Sequence, residues 1–213
     1  MTEDELLVLV DEQFQLTGAE TPGWPDPHPG MEPPADEEYS RLLDPGKYRI
    51  LRARVDAWQR VLESLRAVTV GPVDATSVPQ LRHLPAETAF RWAPTAPGAL
   101  PIIVTYRSMA DVPDTVLEIA AGDPPRLLTA QPECGCDACD DGSGHLLQQV
   151  DEFFLHVLSG QLVHVALPDG VVRTLHHGWE ASGEVTVGDP DWLIAEARAG
   201  TSVYEVTRGR PWL

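Results

Sequence analysis

All three cysteines of this chain lie within six residues of one another, inside the segment Glu133-Cys134-Gly135-Cys136-Asp137-Ala138-Cys139-Asp140-Asp141-Gly142-Ser143-Gly144. Their spacing is C-x-C-x-x-C, and four carboxylates are interleaved with them. Scattered cysteines would carry little information, whereas a single cluster on a short loop requires a chemical reason. The pattern predicts a tight loop whose three sulfurs converge on a common centre.

Zinc is the metal that this thiol loop suits best, because zinc binds thiolates at about 2.3 Å in a tetrahedral shell. Three cysteines leave one position, and His145, six residues after Cys139, is the first choice for it. Asp137, Asp140 and the distant pair His176 and His177 are the alternatives. The predicted metal ligands are therefore Cys134, Cys136, Cys139 and His145.

The charges around the loop favour metal-bound sulfur over a free thiolate. Neighbouring carboxylates raise a thiol pKa, whereas a divalent cation reverses that effect. Gly135 allows a turn between two cysteines, and the helix predicted to begin near Ser143 directs free amides at the loop. Three alternatives remain: metal-free structural cysteines, an iron–sulfur cluster, and a redox pair formed by Cys136 and Cys139.

The charge of the chain limits its partners. The formal net charge is -18, and residues 1–44 contain twelve acidic residues and one basic residue, Arg41. No Lys or Arg occurs between Arg126 and Arg173, the stretch that includes the cysteines. Nucleic acids and anionic membranes need a basic surface, so neither is an expected partner. An unidentified protein or small molecule, basic or cationic in character, fits better.

The cytoplasm is the expected compartment. The first residues are acidic and lack the basic start of a signal peptide, and no apolar run approaches the length of a membrane span. An odd number of cysteines agrees with a reducing environment and argues against a disulfide framework.

Hydrophobic periodicity predicts helices near residues 3–16, 45–66, 143–158 and 191–198. Thr2 and Glu5 form a capping box for the first helix, while Asp44 is the expected cap of the second. Gly160 and Gly200 mark the ends of the third and fourth helices.

Short strands fill the rest of the chain, near residues 67–73, 89–92, 101–107, 115–120, 126–130, 162–167, 171–176 and 202–208. Clustered strands with hairpin-length turns predict an α+β fold, in which a mainly antiparallel sheet packs against several helices. Residues 1–35 are expected to form an acidic helix and a Pro-rich strap held by Trp24, and residues 36–213 a single α+β domain.

Two adjacent histidines, His176 and His177, are expected at the end of a strand, with His164 on the partner strand. Neighbours on a strand point to opposite faces, so the two should not share one ion. No nucleophile elbow, phosphate-binding loop or H-E-x-x-H motif is present, and no carboxylate pair stands out for acid–base chemistry.

The cysteine segment 132–143, with Leu146 and Leu147 after it, resembles the hallmark of an uncharacterised actinobacterial family with a domain of unknown function. Residues 48–58 and 97–101 are also similar to that family. The resemblance covers most of residues 20–213 and implies a bacterial cytoplasmic protein with a defining C-G-C-D-A-C-D-x-G-S loop. It implies no activity, and the position of His145 is not a fixed histidine in the family.

Three functional hypotheses follow. The first is a non-catalytic protein, stabilised by zinc, that binds a partner or small ligand. The second is a metal-dependent enzyme whose site lies beside the cysteine loop. The third is a thiol-based redox sensor.

Overall fold

The computed structural model describes residues 1–30, 33–75, 78, 86–185 and 187–213. This part of the chain contains four α-helices: α1 (Glu3–Thr17), α2 (Ile50–Ser64), α3 (Gly142–Leu158) and α4 (Pro190–Ala199). It also contains two antiparallel sheets, which confirms the predicted α+β class. None of the described helices combines the length and apolar character needed to cross a membrane.

The first sheet is a five-stranded meander in which each strand pairs with the next along the chain. Its strands are β1 (Val68–Val73), β2 (Thr88–Pro94), β3 (Ile102–Met109), β4 (Val112–Ala121) and β5 (Arg126–Gln131). The second sheet has the order β8-β7-β6-β9. Its strands are β6 (Val163–Ala166), β7 (Gly170–Thr174), β8 (Trp179–Gly183) and β9 (Glu205–Arg208).

The main core lies between the first sheet and helices α1, α2 and α3. Trp58 of α2 stacks on Phe154 of α3, with ring centroids 5.1 Å apart, and Trp92 of β2 lies 5.2 Å from the same ring. Leu6 and Val10 lie one helical turn apart on α1, and both are buried in this core. Because aromatic side chains bury large areas, this stack joins both helices to the sheet.

A smaller core lies between the second sheet and α4. The predicted hairpin between β6 and β7 is confirmed, and Asp189 caps α4 by accepting hydrogen bonds from Asp191 and Trp192. His156 of α3 is buried and contacts the Thr174 hydroxyl of β7 at 2.9 Å. This contact links the second sheet to α3.

The N-terminal helix has the predicted capping box: Thr2 accepts from the Glu5 amide, and Glu5 accepts from the Thr2 amide. The prediction for the second helix is partly wrong. Pro45–Arg49 form a 3-10 helix before α2 begins, and Asp44 makes no capping hydrogen bond. Pro45 has no N–H to donate, and its fixed φ is compatible with the tighter turn of a 3-10 helix.

One strand was not predicted. Residues 179–183 pair with β7 at the edge of the second sheet, although they contain Glu, Ala, Ser and Gly and are mostly exposed. An exposed edge strand needs no apolar face, so it leaves no alternating pattern in the sequence. The division of the chain at residue 35 stays a prediction.

Candidate metal centre

The cysteine loop joins the end of β5 to the start of α3. Within it, Asp137–Cys139 form one turn of 3-10 helix, closed by a 3.1 Å hydrogen bond from the Cys139 amide to the Cys136 carbonyl. The turn folds the loop back on itself. It therefore brings Cys134 and Cys139, which are five residues apart in sequence, to the same side of the loop.

The three sulfurs all lie within 4.8 Å of one another. The Sγ atoms of Cys134 and Cys136 are 3.1 Å apart, and the Cys136 amide donates to the Cys134 sulfur at 3.4 Å. All three thiols are free, and those of Cys134 and Cys139 belong to exposed residues. Tetrahedral zinc with 2.3 Å bonds separates its sulfurs by about 3.8 Å. The cluster is therefore compatible with a single metal ion.

The sulfurs also shift each other's acidity. The pKa of Cys136 is lowered, mainly because its thiolate accepts a hydrogen bond from Cys134. The pKa of Cys139 is raised to about 12, mainly through its hydrogen bond with Cys136. The expectation that the neighbouring carboxylates control these thiols is wrong for Cys136. Binding of a metal to all three sulfurs would therefore have to release the proton of Cys139.

Two of the four carboxylates of the loop, Asp137 and Asp140, pair with basic residues. Asp137 accepts from Arg41 Nε at 2.7 Å and from the Leu43 amide at 3.1 Å, and these hydrogen bonds lower its pKa, the Arg41 contact most strongly. Arg41 in turn pairs with Glu38 at 2.8 Å. Asp137, an alternative fourth ligand, is thus engaged away from the sulfurs.

Asp140, the second carboxylate considered as a fourth metal ligand, also binds other partners. It accepts from Trp24 Nε1 at 2.9 Å and from the Gly142 amide at 2.9 Å, and it pairs with Lys47. Lys47 lies over the rings of Trp24 and Tyr48, at 5.2 Å from each centroid. The pKa of Asp140 is lowered because Lys47 and its other hydrogen-bond donors outweigh the effect of burial.

Trp24 anchors the Pro-rich strap, and its contacts are with this loop and the start of α3, which the sequence did not predict. The Trp24 amide donates to Ser143 Oγ at 2.9 Å, and the Ser143 amide donates to the Trp24 carbonyl at 3.1 Å. Gly142 has a φ of +82°, and a Cβ at this position would lie 2.5 Å from the Asp26 backbone nitrogen. The absence of a side chain lets the strap lie directly on the start of α3.

We expect Gly142→Ala to lower the free energy of unfolding by about 2 kcal/mol or more, since the left-handed backbone and the clash with Asp26 both oppose a Cβ. Gly144→Ala is the matched control, because a Cβ there meets nothing within 4 Å and alanine favours a helix. Urea denaturation of both variants measures the difference. Equal stability of the two would contradict the close approach of strap and helix.

A cavity of about 290 Å³ opens beside the sulfurs, lined by Cys134, Cys139 and His145 among others. His145 is not part of the sulfur cluster. Its Nε2 lies 2.8 Å from the amide nitrogen of Gln149, and the Gln149 Oε1 accepts from Gln131 at 2.7 Å. An amide nitrogen only donates, so Nε2 is the acceptor of this bond. The role of His145 as a ligand stays a prediction.

The other histidines singled out in the sequence, His164, His176 and His177, also lie outside the sulfur cluster. His176 and His177 follow the end of β7 at Thr174, and their rings are in contact, with centroids 4.5 Å apart. The expectation that they point to opposite faces of a strand is wrong, because the strand has ended before them. His164 of β6 pairs with Arg173 of β7 and is buried.

Sequence reasoning missed the basic partners of the loop. Arg41 is the single base among the first 44 residues and Lys47 the single lysine of the chain, but both are far from the loop in sequence. It also missed Gln131 and Gln149, which hold His145 and carry no motif.

Comparison with known proteins identifies a family and no individual relative. Neither the curated proteins nor the solved structures include a significant match to this chain. The profile of one family, described as "Family of unknown function (DUF6226)", matches residues 10–213 and so includes the cysteine loop. The chain therefore belongs to the DUF6226 family of unknown function.

Proposed function

We propose that this protein holds one zinc ion on Cys134, Cys136 and Cys139, with His145 as the fourth ligand. The observation that carries the proposal is the cluster of three free thiols within 4.8 Å of one another. Sulfur-rich donor sets select zinc and other soft metals over magnesium or calcium.

The metal acts mainly as a structural clamp in this proposal. Asp137 and Asp140 lie between and beside the sulfurs in sequence, and they bind Arg41, Lys47 and Trp24. An ion that fixes the loop backbone therefore also fixes these carboxylates. The N-terminal strap and the start of α3 are then held together by the same loop.

The biological role that fits such a clamp is binding, of a partner protein or of a small ligand, in the cytoplasm. Reduced thiols persist in that compartment. The net charge of -18 favours basic or cationic partners over nucleic acids and anionic membranes.

The zinc proposal is tested by elemental analysis of the purified full chain together with Cys136→Ser. We expect about one zinc per chain in the wild type and much less in the variant, because a two-thiol site binds zinc far more weakly. The variant should also melt at a markedly lower temperature. A chelator should lower the melting temperature of the wild type and leave that of the variant unchanged.

Metal-free wild-type protein whose melting is unaffected by Cys136→Ser would contradict a structural metal. Reversible oxidation of such a protein would then favour the third hypothesis, a redox sensor.

A metal-dependent enzyme is the second candidate, and the cavity beside the sulfurs favours it. Catalytic zinc keeps one position open to water or substrate, and Cys134 and Cys139 both line a cavity of about 290 Å³. A bound water on the metal would support catalysis, whereas a closed shell of four protein ligands would support the structural role.

A further inference from the structure

Residues of the cysteine loop and residues of α3 both line the cavity beside the sulfurs. Cys134 and Cys139 of the loop line it together with His145 and Gln149 of α3. A metal ion on the sulfurs would therefore face the same cavity as His145. The cavity is at the small end of ligand pockets, which suits a molecule of few atoms.

His145 is held by a chain of hydrogen bonds. Its Nε2 accepts from the amide of Gln149 at 2.8 Å, and a metal that bound His145 through this nitrogen would have to displace that bond. Gln149 is oriented by Gln131, which is only 4% exposed and also contacts Thr129 at 3.2 Å. A buried side chain with two contacts is a fixed anchor. The Gln149 bond therefore competes with metal for the His145 lone pair.

From this competition we infer that the fourth metal position is exchangeable, and that a small nitrogen donor entering the cavity can replace His145. The inference rests on the proposed zinc site. In the exchange the lone pair of the incoming nitrogen forms a bond to the metal as the His145 bond breaks. No electron is transferred, and the released His145 returns to Gln149.

The charge of the cavity selects the class of ligand. Among the described residues that line it, Glu133, Asp140 and Asp141 are acidic, and none is a lysine or arginine. Asp140 is neutralised by Lys47, but three thiolates add further negative charge when a metal is bound. A neutral nitrogen donor with a free lone pair, such as imidazole, is therefore favoured over an anionic ligand, and a protonated amine would first have to release its proton to solvent before it could bind the metal.

The test uses the full chain loaded with Co²⁺, whose visible spectrum reports its ligands, titrated with imidazole. We expect a saturable spectral change in the wild type. His145→Ala should bind imidazole about tenfold more tightly, if the internal ligand occupies the position nine-tenths of the time. Gln149→Leu should bind it several-fold more weakly, because the freed His145 competes better. His177→Ala, an exposed histidine outside this cavity, is the matched control and should match the wild type.

The outcomes separate the two proposals. A Co²⁺ spectrum with thiolate character that imidazole does not alter, in the wild type and in His145→Ala, would overturn the exchangeable position and leave the metal site standing. An absence of any thiolate–Co²⁺ spectrum would overturn both. Equal imidazole affinity in all four proteins would show that His145 is not the competing group, and would overturn the exchange.

Discussion

Asp151→Ala is expected to lower the free energy of unfolding by about 3–5 kcal/mol, the cost of breaking a buried ion pair by removing one partner. Asp151 of α3 accepts two hydrogen bonds from Arg54 of α2, at 2.8 and 2.7 Å, and a third from Trp58 Nε1 at 2.7 Å. Arg54 also pairs with Asp11 of α1 at 2.7 Å. In the variant, Arg54 would remain buried, at only 4% exposed, without its main ion-pair partner.

The pair itself is not a large source of stability. Burial raises the pKa of Asp151 although Arg54 opposes the shift, so the cost of desolvation outweighs the attraction. Replacing both residues, as in Asp151→Leu with Arg54→Met, should therefore be less harmful than Asp151→Ala alone.

Urea denaturation measures these differences, and Glu152→Ala is the matched control. Glu152 is the next residue of the same helix, and it accepts a hydrogen bond from Gln148 at an exposed position. We expect its replacement to change stability by less than about 0.5 kcal/mol. A loss for Asp151→Ala no larger than that of Glu152→Ala would contradict the buried network that joins the three helices.

Acidification from pH 6.5 towards pH 4 destabilises the protein through His156. Burial, with the positive field of His176, Arg198 and Arg173, lowers the pKa of His156 from 6.5 to about 4. In this window the unfolded chain binds a proton that the folded chain does not, so stability falls as pH falls. The shift corresponds to about 3 kcal/mol, and solvent screening reduces the expected loss to about 2 kcal/mol.

Unfolding free energies of the wild type and of His156→Gln across this window test the assignment. The variant should slope less steeply than the wild type, because glutamine can contact Thr174 without titrating, and the slope that remains includes that of His164, whose pKa burial also lowers. Asp137 and Asp140 have pKa values below the usual 3.8, so most of their contribution is lost below pH 4, and the part lost above it is the same in both proteins. Parallel slopes for both proteins would contradict a buried neutral His156.

The parts of the fold that the sequence predicted share a physical cause. Helices α1, α2 and α3 each bury one face in a common core, so apolar residues recur every three or four positions. In the helical segment predicted at residues 45–66, the apolar residues are buried from Tyr48 to Leu62, and Leu65 at its end is exposed. The edge strand 179–183 buries no face and left no such pattern.

Charged residues inside the core were not predictable in the same way. Arg54 and Asp151 are 97 residues apart, and the buried pair of Arg107 and Glu118, at 2.7 Å, lies on neighbouring strands. Charged residue types are usually exposed, so their identity alone gives no sign of burial. Only the pairing in three dimensions makes their burial tolerable.

In the candidate site, too, the local features could be predicted from the sequence and the long-range contacts could not. The cysteines were recognisable because all of them lie on one local loop, and local spacing is visible in a sequence. The partners that orient the loop come from 96 and 93 residues away, in Arg41 and Lys47. These pairings redirect the carboxylates that the sequence had placed around the sulfurs.

The central claim is that three sulfurs hold one ion, and diffraction from crystals of the full chain at the zinc absorption edge tests it most directly. The account predicts a single anomalous peak at about 2.3 Å from the Sγ atoms of Cys134, Cys136 and Cys139. A map without a peak at the loop, with the three side chains directed apart into solvent, would contradict it.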